Sequence, residues 1–282
     1  MRALAFAAVA AASLLVAAGT AAPSSPVRFR VLRFVDASRS AHYVDGTTSP
    51  RVLVTQVRLP PSGRGPFPLV VFCHGFALAP STYARLLDTW ARAGYAVAAP
   101  AFPVERPTAP GGPSRTDLPN EPRDVSFVVT HLLETMGRVV NPRRIAVAGQ
   151  SDGAVAAFSV AFDPRYRDQR IDAALVMSGG PLAGFSAPPI RTPPLLAVQG
   201  TADPFNAPGV TADYFGRMRR PKFLLWLLGA SHLPPYSTGD AWAHVVNSAT
   251  TAFLDEYLRG GSGRRLRAAG NRSGIARLIE GS

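Results

Sequence analysis

At 282 residues with 47% hydrophobic content, the chain can bury a large core, and α/β arrangements of this length often form one domain. Its single cysteine, Cys73, excludes an intramolecular disulfide, so stability has to come from packing. The formal net charge of +12 implies weak attraction to anionic surfaces but names no partner. Six arginines against one glutamate from Arg259 onward have no aromatic residues among them to stack bases, which argues against nucleic-acid binding.

The chain opens with Arg2, an alanine-rich apolar run over 3–18 and small residues at 19–22. This pattern predicts a cleavable signal peptide over 1–22, cut after Ala21 or Ala22, and hence a secreted or cell-envelope protein. No later stretch approaches the ~18 consecutive apolar residues of a membrane helix, so no stable span is expected after cleavage. The folded domain is then expected over 27–282, with 260–282 as a basic C-terminal segment.

Two β-branched-rich segments, 27–35 and 52–59, predict paired edge strands. Short, nearly continuous apolar runs follow at 69–73, 95–99, 144–148, 173–177, 195–199 and 223–228. Such runs fit strands covered by helices on both faces, which makes the fold class α/β with a mostly parallel central sheet. Val125, Val128, Val129, Leu132, Leu133 and Met136 recur at helical spacing behind Asn120 and Pro122, which predicts an amphipathic helix. Further helix signals lie at 82–92, 154–162, 210–218 and 240–258. Residues 103–119 and 179–194 carry five prolines each and read as loops. Because the first of these leaves the C-terminal end of the 95–99 strand, it is expected to flank a pocket there.

The sequence Gly149-Gln150-Ser151-Asp152-Gly153 stands between a strand and a helix. A nucleophilic serine needs that setting, in which a sharp turn lifts its hydroxyl above the sheet and glycines keep side chains out of the way. Such a pentapeptide arises by chance in about one chain in ten of this length, so its flanking elements carry the argument. A serine hydroxyl also needs a base and a carboxylate to orient that base. Asp203, on the loop after the 195–199 strand, is the candidate acid, and His232, after the 223–228 strand, is the candidate base. Of the competing carboxylates, Asp163, Asp168 and Asp172 precede a strand, while Asp213, Asp240 and Asp255 fall on helices; His131 and His244 lie within helices, and His42 stays unassigned. His74, in Cys73-His74-Gly75-Phe76, precedes the serine and is expected to brace its loop. The backbone N–H groups of Phe76 and Asp152 are the expected oxyanion donors.

The elbow at Ser151, the run Gly65-Pro66-Phe67-Pro68-Leu69-Val70-Val71-Phe72 leading to His74-Gly75-Phe76, and the placement of Asp203 and His232 resemble secreted bacterial α/β-hydrolases. The group includes dienelactone hydrolases, platelet-activating-factor acetylhydrolases and cutinase-type polyester hydrolases. The resemblance implies an α/β-hydrolase fold without a large cap domain. It also implies a metal- and cofactor-independent serine esterase acting on small or polymeric esters, with Ser151, Asp203 and His232 as the triad. Dienelactone hydrolases carry cysteine where this chain has Ser151. Polyester hydrolases carry methionine where it has Asp152 and tryptophan near Ser178-Gly179-Gly180-Pro181. His74, Phe76, Gln150 and Phe185 are the candidate pocket residues. Asp152 would favour polar or cationic substrates if turned inward, and would be only a helix N-terminal anion if turned outward. Acyl transfer, phospholipid deacylation and a non-catalytic basic binding module stand as alternatives.

Overall fold

The computed structural model describes residues 25–281, so the expected signal peptide lies outside the described residues. The chain runs β1 (Arg28–His42), β2 (Thr48–Leu59), β3 (Phe67–Cys73), α1 (Ala84–Arg92), β4 (Ala96–Ala101), α2 (Glu121–Met136), β5 (Val140–Gln150) and α3 (Asp152–Phe162). It continues through β6 (Ala173–Met177), β7 (Leu195–Gly200), α4 (Pro208–Arg217), β8 (Lys222–Leu227), the short α5 (Pro234–Ser237), α6 (Ala241–Arg259), α7 (Gly263–Gly270) and β9 (Ala276–Glu280).

Among the described residues, all nine strands form one sheet in the order β1-β2-β4-β3-β5-β6-β7-β8-β9. The six strands from β4 to β8 in that order are mutually parallel. The β1–β2 pair and β9 add antiparallel edges. This is the mostly parallel sheet expected from the apolar runs. It differs at the margins: β1 extends to His42 and β2 begins at Thr48, and the basic C-terminal segment adds a helix and a ninth strand. In that segment Leu266 and Leu278 are buried, while the intervening arginines face outward.

Side chains alternate across the sheet because successive residues of a strand point to opposite faces. In β3, Leu69, Val71 and Cys73 join the core under α2, α3 and α4, whereas Val70 and Phe72 join the core under α1, α6 and α7. Each such fully buried Val, Leu or Phe contributes about 1.5–3 kcal/mol relative to exposure. Helix α2 buries Val125, Val128, Val129, Leu132 and Met136, the stripe read from its spacing. Asn120 precedes it without capping it; its amide donates to Asp117 instead. No helix among the described residues is long and apolar enough to cross a membrane. The parallel arrangement brings the loops after β3, β5, β7 and β8 to one end of the sheet, where an α/β sheet places its site.

Candidate active site

Strand β5 ends at Gln150 and α3 starts at Asp152, which leaves Ser151 alone at the corner with φ 57° and ψ −124°. A non-glycine residue there is strained. The corner is held by the Ser151 amide donating to the Met177 carbonyl at 3.0 Å and by Ala154 donating to the Ser151 carbonyl at 2.9 Å. Gly149 and Gly153 make it possible, since a Cβ on the first would strike the Gly153 carbonyl and one on the second the Cys73 carbonyl. Among the described residues, the other non-glycine positions with positive φ are Ala77 and Ser178. Ala77 follows Phe76 and Ser178 lines the cavity beside Ser151, so backbone strain gathers around this serine.

His232 reaches the corner from the loop after β8. Its Nε2 lies 2.9 Å from Ser151 Oγ, and its Nδ1 lies 2.8 Å from Asp203 Oδ2. A carboxylate can only accept, so Nδ1 carries the proton and Nε2 is free to accept from the serine hydroxyl. The other Asp203 oxygen, Oδ1, takes the amides of Phe205 and Asn206, each at 2.9 Å. Gln199 Nε2 adds a bond to Oδ2 at 3.2 Å. Burial pushes the Asp203 carboxyl up, but the Asn206 amide, His232 and the Phe205 amide outweigh it and hold Asp203 below its ordinary value. Asn206 and Thr211 in turn donate to Gln199 Oε1 at 2.7 and 2.8 Å, which fixes the amide that supports the acid.

The loop after β3 passes close to the serine: a Cβ added at Gly75 would lie 3.1 Å from Ser151 Cβ. The Gly75 amide donates to Tyr83 Oη, which donates to Gln150 Oε1, and Gln150 Nε2 donates to the His232 carbonyl. Gln150 therefore ties the β3 loop to the His232 loop. His74 is fully buried; its Nε2 accepts from the Phe102 amide at 3.0 Å, and its Nδ1 donates to the Gly75 carbonyl at 2.9 Å. Burial pulls its pKa down to about 4, against the Gly75 bond, so the ring is neutral and pins the β3 loop to the end of β4.

An open cavity of about 380 Å³ borders Ser151 and His232, with Arg115, Asp152, Phe205 and Val210 around it. Its lining differs from the one expected. His74 and Gln150 are fully buried, and Phe185 packs edge-on against the core residue Phe158 at 4.9 Å, because the 179–194 loop folds it back onto α3. Phe76 is not among the lining residues; the Arg115 guanidinium stacks over its ring, 4.2 Å from the ring centre. Asp152 does line the cavity, yet its carboxylate is taken by Arg115 Nε at 2.5 Å, so it is neither a free inward charge nor a solvated helix-end anion. The proline-rich 103–119 loop flanks the cavity by contributing Arg115. Sequence reasoning missed Arg115, Tyr83, Gln199 and Asn206. The one available signal was the polar Gln199 near the end of an otherwise apolar strand.

A mostly parallel sheet with a strained serine corner at its C-terminal end defines an α/β-hydrolase. Residues 35–211, more than half of the chain, match the family model described as Chlorophyllase, and the chain belongs to that family. The fold is similar to that of the ferulic acid esterase from Streptomyces cinnamoneus, with a TM-score of 0.69 at 22% sequence identity, covering 91% of this chain and 96% of that one. The comparison with curated proteins gives no match.

Proposed function

We propose that this carboxylic-ester hydrolase works through an acyl-enzyme, with Ser151 as nucleophile, His232 as general base and then general acid, and Asp203 as the carboxylate that orients the imidazole. The observation that carries the reading is the unbroken chain from Ser151 Oγ through His232 to Asp203, at 2.9 and 2.8 Å. Ser151 Oγ attacks the ester carbonyl carbon as its proton passes to His232 Nε2. The carbonyl oxygen gains the negative charge and is met by the amides of Phe76 and Asp152. Collapse of the tetrahedral species breaks the carbon–oxygen bond, and the departing alkoxide takes the proton from His232. Water repeats the sequence on the acyl-enzyme, releasing the acid and restoring the serine.

The open cavity, with apolar Phe205 and Val210 on one side and the Arg115–Asp152 pair on the other, supports short or medium acyl esters as substrates. Export through the 1–22 segment is part of the proposal, and N-terminal sequencing of the secreted protein tests it.

Hydrolysis of p-nitrophenyl butyrate and of a ferulate ester, together with labelling by a fluorophosphonate, tests the chemistry. Wild type is expected to turn over at least one ester and to label. Ser151→Ala is expected to do neither; equal rates in the two proteins would sink the reading, and a wild type that neither turns over nor labels would favour a binding role for the basic surface.

A further inference from the structure

Arg115 is the only Arg or Lys among the described residues lining the cavity, and its two contacts are with particular partners. Its Nε donates to Asp152 Oδ2 at 2.5 Å, and its guanidinium carbon stands 4.2 Å from the centre of the Phe76 ring. Phe76 and Asp152 are the residues whose amides meet the oxyanion in the proposed mechanism. They come from separate segments, the loop after β3 and the first turn of α3. One guanidinium therefore spans both halves of the oxyanion hole, with an ion pair on one side and a cation–π contact on the other.

The base of this arm is fixed. Ser114 donates its amide to the Val104 carbonyl at 3.0 Å and accepts the Thr116 amide with its hydroxyl. Two residues beyond Arg115, the Asp117 carboxylate is gripped by the fully buried Arg51 at 2.6 and 2.9 Å. The guanidinium itself is solvent-facing, its side chain 61% exposed, so it contributes little to the core. On the opposite side, the Phe76 loop is held through Ala77, whose amide donates to the Glu105 carbonyl at 3.0 Å. The Phe76 ring carries the Arg115 guanidinium as its cation–π partner.

We infer that Arg115 is a positioning residue for the oxyanion hole, a clamp that fixes the distance between the Phe76 and Asp152 amides. This rests on the proposed serine mechanism. Stabilisation of an oxyanion depends on donors being in place before charge develops, because no reorganisation is then needed at the moment of reaction. A clamp of this kind acts on the transition state and leaves ground-state binding of a neutral ester nearly alone. Lysine in place of arginine keeps the charge opposite Asp152 but loses the flat stacking face.

The test measures kcat, KM and Tm for wild type, Arg115→Met, Arg115→Lys, Asp152→Asn and the double variant Arg115→Met/Asp152→Asn, with p-nitrophenyl butyrate as substrate. In Arg115→Met, kcat is expected to fall by about tenfold while KM stays within about twofold. Tm should hardly move. Arg115→Lys should recover part of the lost kcat, and the double variant should be no slower than the slower single variant, since both remove the same link. Unchanged kcat in Arg115→Met would overturn the clamp. So would a loss carried by KM and confined to an ester bearing a carboxylate, such as mono-p-nitrophenyl glutarate, because the guanidinium would then be gripping substrate. Absence of turnover and of fluorophosphonate labelling in wild type would overturn the mechanism, and the clamp with it; a fully active Arg115→Met in an active background overturns the clamp alone.

Discussion

Two buried acidic groups border the candidate site, and the protein stabilises them in opposite ways. Asp203 is surrounded by donors: two backbone amides, the His232 ring and the Gln199 amide. Glu105, whose carbonyl accepts the Ala77 amide of the β3 loop, and Glu121 are both fully buried, and a charge on Glu105 would push Glu121 up further. Among the described residues, no N–H or O–H from another side chain or the backbone reaches either of them. Burial drives the Glu105 pKa up to about 8, with the nearby Asp152 charge adding to the effect, and drives Glu121 well above its ordinary range. Burial costs an ionised carboxyl in both places; four donors offset that cost for Asp203, and a retained proton avoids it for the glutamate pair. The difference suits the proposed chemistry, because a carboxylate cannot donate: it accepts the Nδ1 proton of His232, keeps Nε2 open to the serine and stabilises the imidazolium.

The largest effects come from breaking the donor-rich side. Ser151→Ala and His232→Ala are each expected to cost about 10⁶ in kcat on p-nitrophenyl butyrate, because members of such a triad act as a unit. Asp203→Asn keeps the shape but lets the imidazole adopt the wrong tautomer, and should cost about 10⁴. Retention of more than a tenth of wild-type kcat in Asp203→Asn would show that the carboxylate is not what makes this side different.

Next comes the acidic side, where Arg51 is fully buried and holds both Asp117 and Asp124 through four hydrogen bonds of 2.5–2.9 Å. Arg51→Met should lower unfolding free energy by about 3–5 kcal/mol in urea titrations, because it strands two buried carboxylates. A loss below about 1 kcal/mol would mean that water or Arg39, which also reaches Asp124 at 2.8 Å, has taken over.

A smaller effect should appear in the pH dependence of stability. The folded-state value for Glu105, about 8, lies above its ordinary 4.5, so the folded protein binds more protons than the unfolded chain between those values. Its contribution is complete below pH 4.5 and is lost as the pH rises toward 8. Asp203 works in the other direction: its folded value is depressed below 3.8, so its contribution is present above that pH and lost only in acid. Wild-type Tm is expected to drop by several degrees from pH 5 to pH 8, and Glu105→Gln should flatten that slope. An unchanged slope in the variant would remove the contrast between the two groups.

The smallest effect concerns a single donor. Gln199→Leu leaves Asp203 with three donors and should lower kcat by about tenfold, the low end for one hydrogen bond to a charged group, as suits a bond of 3.2 Å. A loss as large as that of Asp203→Asn would instead mean that Gln199 sets the position of the whole 203–206 turn.

The central strands were legible because parallel strands buried on both faces must be apolar almost throughout, and the runs at 69–73, 173–177 and 195–199 each coincide with one. The 179–194 loop was legible from its prolines. Strand β9 was not, since an antiparallel edge strand of alternating burial, with Leu278 inside and Arg277 outside, is too short and too basic to stand out. The serine corner could be read locally, because its glycines are required by contacts within a few residues and with the adjacent strand.

The sequence by itself determined the fold class and selected Ser151, Asp203 and His232 as candidates, since each is marked by its place after a strand. Only the tertiary structure decided which side chains face the cavity. Gln150 and His74 became buried braces, the half-buried Phe185 packed against the core, and Arg115 came to span Phe76 and Asp152. Those outcomes depend on how loops from different strands fold over the end of the sheet. Neither strand periodicity nor local turn chemistry constrains that arrangement; it is set by packing and hydrogen bonding between segments far apart in the chain, such as Arg51 with Asp117 and Gln150 with His232.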